Sequence, residues 1–234
     1  MKKNLANLEK LLGYNFQNLD LLERALTHRS WAYEEMPFGK ECEIRQLHNE
    51  SLEFLGDSVL GLAVAEYLFF NYPEATEGEL TLMKHRLVNT ETLAKLAQNL
   101  DLGTYLKFGR GEEKTGGRKK QALLADVFEA VLAAIFCDSG YTVAKNFVHR
   151  ILIEEFRQIS PKSALDYKTL LQEKLQAQKL PTPIYQVVKT EGPPHKRTFF
   201  VEVVIEKKRF SGQGTSIKSA EMNAANVALK ELEQ

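Results

Sequence analysis

Three carboxylates inside an apolar stretch constrain this chain more than any other feature. Residues 48–60 read HNESLEFLGDSVL and continue as GLAVAEYLFF, so Glu50, Glu53 and Asp57 head a segment made mostly of leucine, valine, phenylalanine and alanine. The spacing predicts one long helix from about His48 to Tyr72, ended by Pro73, which cannot continue it. At about 100° per residue, positions 50, 53 and 57 fall within an arc of roughly 60°. The same face goes on to Gly61, Val64 and Leu68. Beyond the acids the helix is apolar nearly all round, the mark of a central helix. Carboxylates gathered at the end of a buried helix repel one another and lose hydration, so they need cations or protons. A hard divalent ion such as Mg2+ suits them.

A second stretch repeats the pattern. In LLADVFEAVLAAIF, Asp126 and Glu129 are three residues apart on one helical face, again among apolar neighbours. One such helix by itself is equally what a solvated helix end looks like. Two of them, facing each other, point to a shared metal site. Periodicity does not say which substrate that metal would act on.

The rest of the chain divides into two grammars. The first 158 residues read as helices: LANLEKLLG stopped by Gly13, NLDLLERALTH with Asn18 as cap, EGELTLMKHRLVN and TETLAKLAQNL. Next come an apolar helix stopped by Gly140 and a last one, YTVAKNFVHRILIEEFRQI. Two polar stretches, AYEEMPFGKECEIRQ and GRGEEKTGGRKK, read as loops. The second is no phosphate-binding P-loop, because Lys114-Thr115 follows Glu113 rather than glycine and no strand precedes it. Residues 159–165 form a short linker. From residue 166 the order becomes helix (DYKTLLQEKLQAQKL), three strands (IYQVVKT, TFFVEVVIE, KRFSGQG) and helix (SIKSAEMNAANVALKELE). In the second strand Phe199, Val201, Val203 and Ile205 alternate with Phe200, Glu202, Val204 and Glu206, the period of a half-buried strand.

Charge follows the same division. The net charge is zero, but the segment from Pro161 onward carries 12 basic and 8 acidic residues, which leaves the preceding part acidic. A basic tail on an acidic body suits binding of a polyanion, although an imbalance of this size is also common. No apolar run reaches the roughly 18 residues of a membrane span, and Asn and Glu interrupt the start MKKNLANLEKLLG before a secretory core forms. Two cysteines are too few for a disulfide framework, and Cys137, in VLAAIFC, reads as a buried free thiol. A cytoplasmic setting follows.

HNESLEFLGDSVL closely resembles the signature of ribonuclease III, the endonuclease of double-stranded RNA. ALTHRS, EGEL, GRGEEKTGGRKK and LLADVFEAVLAAIFCDSG occur in that family's order, and the resemblance covers essentially the whole chain. It implies an all-α nuclease domain over residues 5–140, its last helix extending to about 158. An α+β (α-β-β-β-α) double-stranded-RNA-binding domain would then occupy 166–234. The implied activity is Mg2+-dependent cleavage, with Mn2+ as a substitute, to 5′-phosphate and 3′-hydroxyl ends with short 3′ overhangs. The implied assembly is a homodimer with one site per subunit. The implied substrates are ribosomal RNA precursors and structured messenger and transfer RNA precursors.

By position, Glu53, Asp57, Asp126 and Glu129 match the family's metal-centred cluster, with Asp57 and Glu129 the most directly catalytic. Glu50 and Glu77 match acids further out. Phe54 matches a residue that packs into the partner subunit, where the bare sequence reads as an ordinary core phenylalanine. In the second domain Gln172, Glu173, His195 and Lys218 match RNA-contacting positions. The chain departs from the pattern at Ser51, where arginine is usual, at Ala122 in place of serine, and at Ile217 in place of a lysine. The 33–48 loop is also longer than the family's. Without the resemblance, Lys207, Lys208 and Arg209 read as a solvated hairpin turn, and two other functions fit: a non-catalytic RNA binder on a nuclease scaffold, or a helical metal-binding protein.

Overall fold

The computed structural model describes residues 5–161, 167–193 and 197–232. His195 lies outside them. The chain forms two compact units, Met1–Ser163 and Ala164–Gln234.

The first unit is helical: α1 (Leu5–Leu12), α2 (Leu19–Ala25), α3 (Arg29–Glu35), α4 (Glu41–Leu47), α5 (Glu50–Asn71), α6 (Glu77–Leu87), α7 (Thr90–Asn99), α8 (Leu102–Tyr105) and α9 (Arg110–Lys114). A 3-10 turn (Gly117–Lys119), α10 (Gln121–Ile151) and α11 (Ile153–Gln158) complete it. Local chemistry sets the helix starts. Asn18 accepts a hydrogen bond from the Asp20 N–H, Asn89 accepts one from the Thr92 N–H, and Thr76 forms a reciprocal capping box with Glu79.

The centre of this unit is α10. Val127, Phe128 and every residue from Ala130 to Ile135 are buried, so Glu129 is the polar interruption in an otherwise apolar cylinder. Gly140 interrupts α10 as its sequence suggested, so that α10 is two helical segments joined at a kink. It takes φ 79° and ψ 178°, and helical geometry resumes beyond it to Ile151. The positive φ suits glycine, and the chain redirects there between the two helical segments. Cys137, read from sequence as buried, is exposed, because the helix leaves the core after Ile135.

The long helix α5 packs on α10, but only one side of it is central. Leu52, Gly56, Val59, Leu60, Ala63, Val64 and Leu68 are buried. Phe54, Leu62, Phe69 and Phe70 are exposed, Phe54 by 78%. The expectation of a helix surrounded by its own subunit is therefore corrected.

Both polar loops are also more ordered than their composition suggested. Residues 29–47 hold α3 and α4, tied by the Tyr33 hydroxyl donating to both oxygens of Glu41 at 3.0 and 2.9 Å. Residues 110–119 hold α9 and the 3-10 turn. There the Arg118 guanidinium reaches the carbonyls of Gly103, Thr104 and Leu106 and both carboxylate oxygens of Glu113.

In the second unit α12 (Tyr167–Ala177) precedes an antiparallel sheet ordered β1 (Ile184–Glu191), β2 (Thr198–Ile205), β3 (Lys208–Gly214), and α13 (Ile217–Glu231) follows. Val201, Val203 and Ile205 point into the core, as the alternation requires. Val203 and Ile205 meet Leu171 and Leu175 of α12 and the alanine face of α13. Gly212 lets β3 approach α13 so closely that a Cβ at this position would overlap the Ala224 backbone. Lys207 lies in the β2–β3 turn, whereas Lys208 and Arg209 belong to β3, where Arg209 pairs with Glu202 at 3.2 Å.

Candidate active site

One backbone contact assembles the site. Gly56 of α5 presses against the main chain of Glu129 in α10, where any side chain would overlap the Glu129 carbonyl. Glycine here lets the two helices come together with almost nothing between them. Glu53 stands about one turn before Gly56 and Asp57 directly after it; on the facing helix stand Asp126 and Glu129.

The electrostatics record that proximity. Burial, with the charges of Asp126, Glu50 and Asp57, pushes the Glu53 carboxyl up to about 7. Burial, with Asp57, Glu53 and Asp126, pushes Glu129 up to about 8. Asp126 is raised by burial. The four sequence-predicted acids are thus within electrostatic reach of one another, on two rigid helices. Among the described residues, however, no three His, Cys, Asp or Glu side chains are arranged to hold one ion together. Like charges at this range push apart, and closing them further requires a cation to offset the repulsion. The donor set is hard oxygen throughout, which fits Mg2+ or Mn2+ and not a softer thiolate metal.

The outer acids separate. Glu50 belongs to the edge of the cluster: it influences Glu53, and Arg29 holds it at 2.9 Å. Glu77 is not among the charges that raise Glu53 or Glu129. It sits at the start of α6, accepting from the Thr81 hydroxyl at 3.1 Å, beside Phe69, Phe70 and Lys84. Phe54 projects from α5 into solvent, on no core of its own subunit. Ser51, at the position of the missing arginine, accepts a hydrogen bond from Arg24 at 2.6 Å. Arg24 also donates to the carbonyls of His48 and Arg45, so a cation from α2 braces the head of α5.

A small cleft of about 50 Å³ adjoins the acids, lined by His28, Asn49, Glu50, Glu53, Leu106, Phe108, Leu123 and Asp126. His28 and Asn49 were not singled out from sequence. Both lie inside stretches that mark the family resemblance, His28 in ALTHRS and Asn49 in HNES. Burial lowers the affinity of His28 for a proton.

In the second unit Gln172 and Glu173 are exposed on α12, and Lys218 is exposed in the first turn of α13, whose N-terminus Ser216 caps. An exposed lysine beside free helical N–H groups suits phosphate contact. Ile217, in the place of a second lysine, is 45% exposed and adds apolar surface instead.

Residues 18–156 match the family model described as ribonuclease-III-like, and residues 167–232 match the double-stranded RNA binding motif. Among similar proteins, Ribonuclease 3 of Magnetococcus marinus is 44% identical over 97% of this chain and 92% of its own length. Ribonuclease 3 of Clostridium perfringens is 43% identical over 98% of this chain and 94% of its own. Among solved structures, the nuclease domain of ribonuclease III from Campylobacter jejuni superposes with a TM-score of 0.59 at 39% identity, covering 68% of this chain and 99% of that one. A second structure of that domain (TM-score 0.58, 38% identity, 66% of this chain and 99% of that one) is described by its structural flexibility in a region involved in dimer formation.

Proposed function

The chain belongs to the ribonuclease III family, endoribonucleases of double-stranded RNA, and from that premise we propose that its cutting centre is the carboxylate cluster between α5 and α10. The observation that carries this reading is the Gly56–Glu129 backbone contact, which brings Glu53, Asp57, Asp126 and Glu129 together against their own repulsion. A fold gains nothing from such an arrangement unless a cation completes it.

Mg2+, or Mn2+ in its place, bound by these four residues would supply a water of lowered pKa and stabilise the leaving oxygen of the broken phosphodiester. The chain's own part is to fix the acids on two packed helices and to keep the outer acid Glu50 tied to Arg29. Asp57 and Glu129 take the most direct catalytic role. Cleavage leaves a 5′-phosphate and a 3′-hydroxyl. Two subunits in a homodimer offer two sites, so paired cuts on opposite strands leave a short 3′ overhang. The exposed Phe54 ring belongs to the dimer contact. Gln172, Glu173, His195 and Lys218 hold the duplex, and structured precursors of ribosomal, messenger and transfer RNA are the substrates. No helix among the described residues is long and apolar enough to cross a membrane, in keeping with work in the cytoplasm.

The test is incubation of the protein with a long RNA duplex, with and without Mg2+, followed by end-group analysis. Cation-dependent shortening, with 5′ ends that accept label only after phosphatase treatment, is expected. Duplex binding without cutting at any Mg2+ or Mn2+ concentration would replace this reading with that of a non-catalytic RNA binder.

A further inference from the structure

The acidic cluster itself offers only acceptors, and its substrate, a phosphodiester chain, is also rich in acceptors. The proposed cation bridges the two, and a hydrogen-bond donor beside it would hold a further substrate oxygen. A lysine or arginine in the cluster would do so at a cost, because it would pair with the carboxylates and compete with the cation they hold. The cleft beside the acids supplies neutral donors instead.

Asn49 is the first. Asparagine is among the best helix-capping residues, and Asn49 stands at the N-cap of α5, yet its side chain makes no capping hydrogen bond. The imidazole of the preceding residue is placed for that task, with His48 Nδ1 3.4 Å from the Glu50 N–H. Asn49 is 4% exposed. Its amide has no hydrogen-bond partner among the described residues and is not sealed from solvent, so its access is through the cleft it lines.

His28 is the second. Its Nδ1 accepts from the Ser30 N–H at 3.2 Å, capping α3, and faces the Ser30 hydroxyl at 2.8 Å. A ring nitrogen that accepts carries no proton, so the neutral imidazole keeps its hydrogen on Nε2. The ring is held edge-on to Phe108, with centroids 5.2 Å apart. Nε2 meets no partner among the described residues and is not sealed in, and the ring lines the same cleft as Asn49, Glu50, Glu53 and Asp126.

We propose that His28 and Asn49 form a neutral donor pair that binds an oxygen of the RNA sugar-phosphate backbone beside the scissile linkage. The inference rests on the endonuclease reading above and adds to it a substrate-positioning subsite. The volume of the cleft, about 50 Å³, admits a single oxygen-bearing group and not a base. Water carried by a bound cation does not match Nε2–H, because such water presents hydrogens outward. Two backbone oxygens share the required chemistry, the ribose 2′-hydroxyl and a non-bridging phosphate oxygen.

The full chain with Mg2+ and short defined duplexes separates them. Asparagine at position 28 preserves the cap on Ser30 but lacks a donor where Nε2–H lies, whereas glutamine reaches that place with its amide. His28→Asn is expected to lower kcat/KM about tenfold with an unchanged melting temperature, and His28→Gln to recover most of the loss. Asn49→Ala is expected to lower kcat/KM several-fold in the same way. The wild-type protein should lose a similar factor on duplexes carrying either 2′-deoxyribose or a methylphosphonate beside the cut, and His28→Asn should lose no more on that same duplex. Whichever modification behaves so identifies the oxygen. If His28→Asn cuts as well as wild type, or if both modifications penalise wild type and variant equally, the donor pair is wrong and His28 is only a cap packed on Phe108. Failure of the wild type to cut unmodified duplex would overturn the endonuclease reading as well, which keeps the two failures distinct.

Discussion

Each unit of this protein presses a glycine against the backbone of a helix, and the two contacts are used in opposite ways. At Gly212 the neighbours are Ala220 and Ala224, and the close approach only tightens an apolar core. At Gly56 the neighbour is Glu129, and the same economy of space forces four carboxylates into each other's fields. The first contact is rewarded by folding alone. The second raises the cost of folding, a cost that the proposed cation would offset. Close packing is thus a neutral device, and the residues one turn away decide whether it serves stability or chemistry.

The strongest way to break the comparison is to remove the charge that distinguishes the second contact. Glu129→Gln keeps the shape and is expected to reduce cleavage by more than about 100-fold, with duplex binding by the intact second unit retained. Near wild-type cutting would take Glu129 out of the site. The same variant carries a pH signature without divalent ions. Glu53 and Glu129 titrate at about 7 and about 8 when folded, above the ordinary carboxylate range near 4.3 in the unfolded chain. A raised folded pKa means the folded state binds more protons, so stability is present at low pH and is lost as pH rises through about 7 to 8. Melting temperature measured in chelator should therefore fall from pH 5 to pH 8.5, and Glu129→Gln should flatten the upper part of that fall.

Next in size are the glycines themselves. Gly56→Ala and Gly212→Ala should each destabilise by about 1–3 kcal/mol, the usual cost of overpacking. They should part company in function. Gly56→Ala spreads the acids and loses cutting beyond what its stability explains; Gly212→Ala weakens duplex binding and leaves cation-dependent cutting of saturating substrate. Equal loss of cutting in both, assayed below their melting transitions, would remove the special role of the α5–α10 contact.

Phe54→Ala sharpens the comparison from outside the core. A ring 78% exposed in its own subunit contributes little to that subunit's folding, so melting of the monomer should barely move. Loss of a central aromatic contact at a twofold interface costs about 2 kcal/mol or more. Subunit dissociation at low concentration should therefore strengthen roughly 30-fold, read by sedimentation. A dimer of undiminished affinity would take the ring out of the interface.

Much of this was legible in the residues. The spacing of Glu53 and Asp57, and of Asp126 and Glu129, names the facing turns because helical periodicity is local. The alternation through Val201, Val203 and Ile205 names the inner face of the sheet for the same reason. What sequence did not yield depended on partners distant in the chain. Helices α3 and α4 are each seven residues long and surround Pro37 and Gly39, too short to declare themselves without the Tyr33–Glu41 bond. The outward face of α5 looks apolar enough to be core, and only the placement of its neighbours reveals that Phe54, Leu62, Phe69 and Phe70 stay exposed among the described residues. Cys137 comes two residues after the buried run Ala130–Ile135 and still emerges, since the end of a core is set by what packs there. Asn49 carries a capping residue's identity without a capping residue's bond.

The segment 110–119 looks like a cleavable tether: glycine-rich, charged, with Arg110, Lys114, Arg118 and Lys119 offered to a trypsin-like protease. Its anchoring says otherwise. One guanidinium, that of Arg118, satisfies three carbonyls of the preceding segment and one carboxylate of its own. Because one guanidinium holds all of these partners, the expectation is that the segment opens as a block. Limited digestion of the folded protein should spare these sites while deuterium enters their amides together, and the apparent tether behaves as a clasp that closes the chain in front of α10.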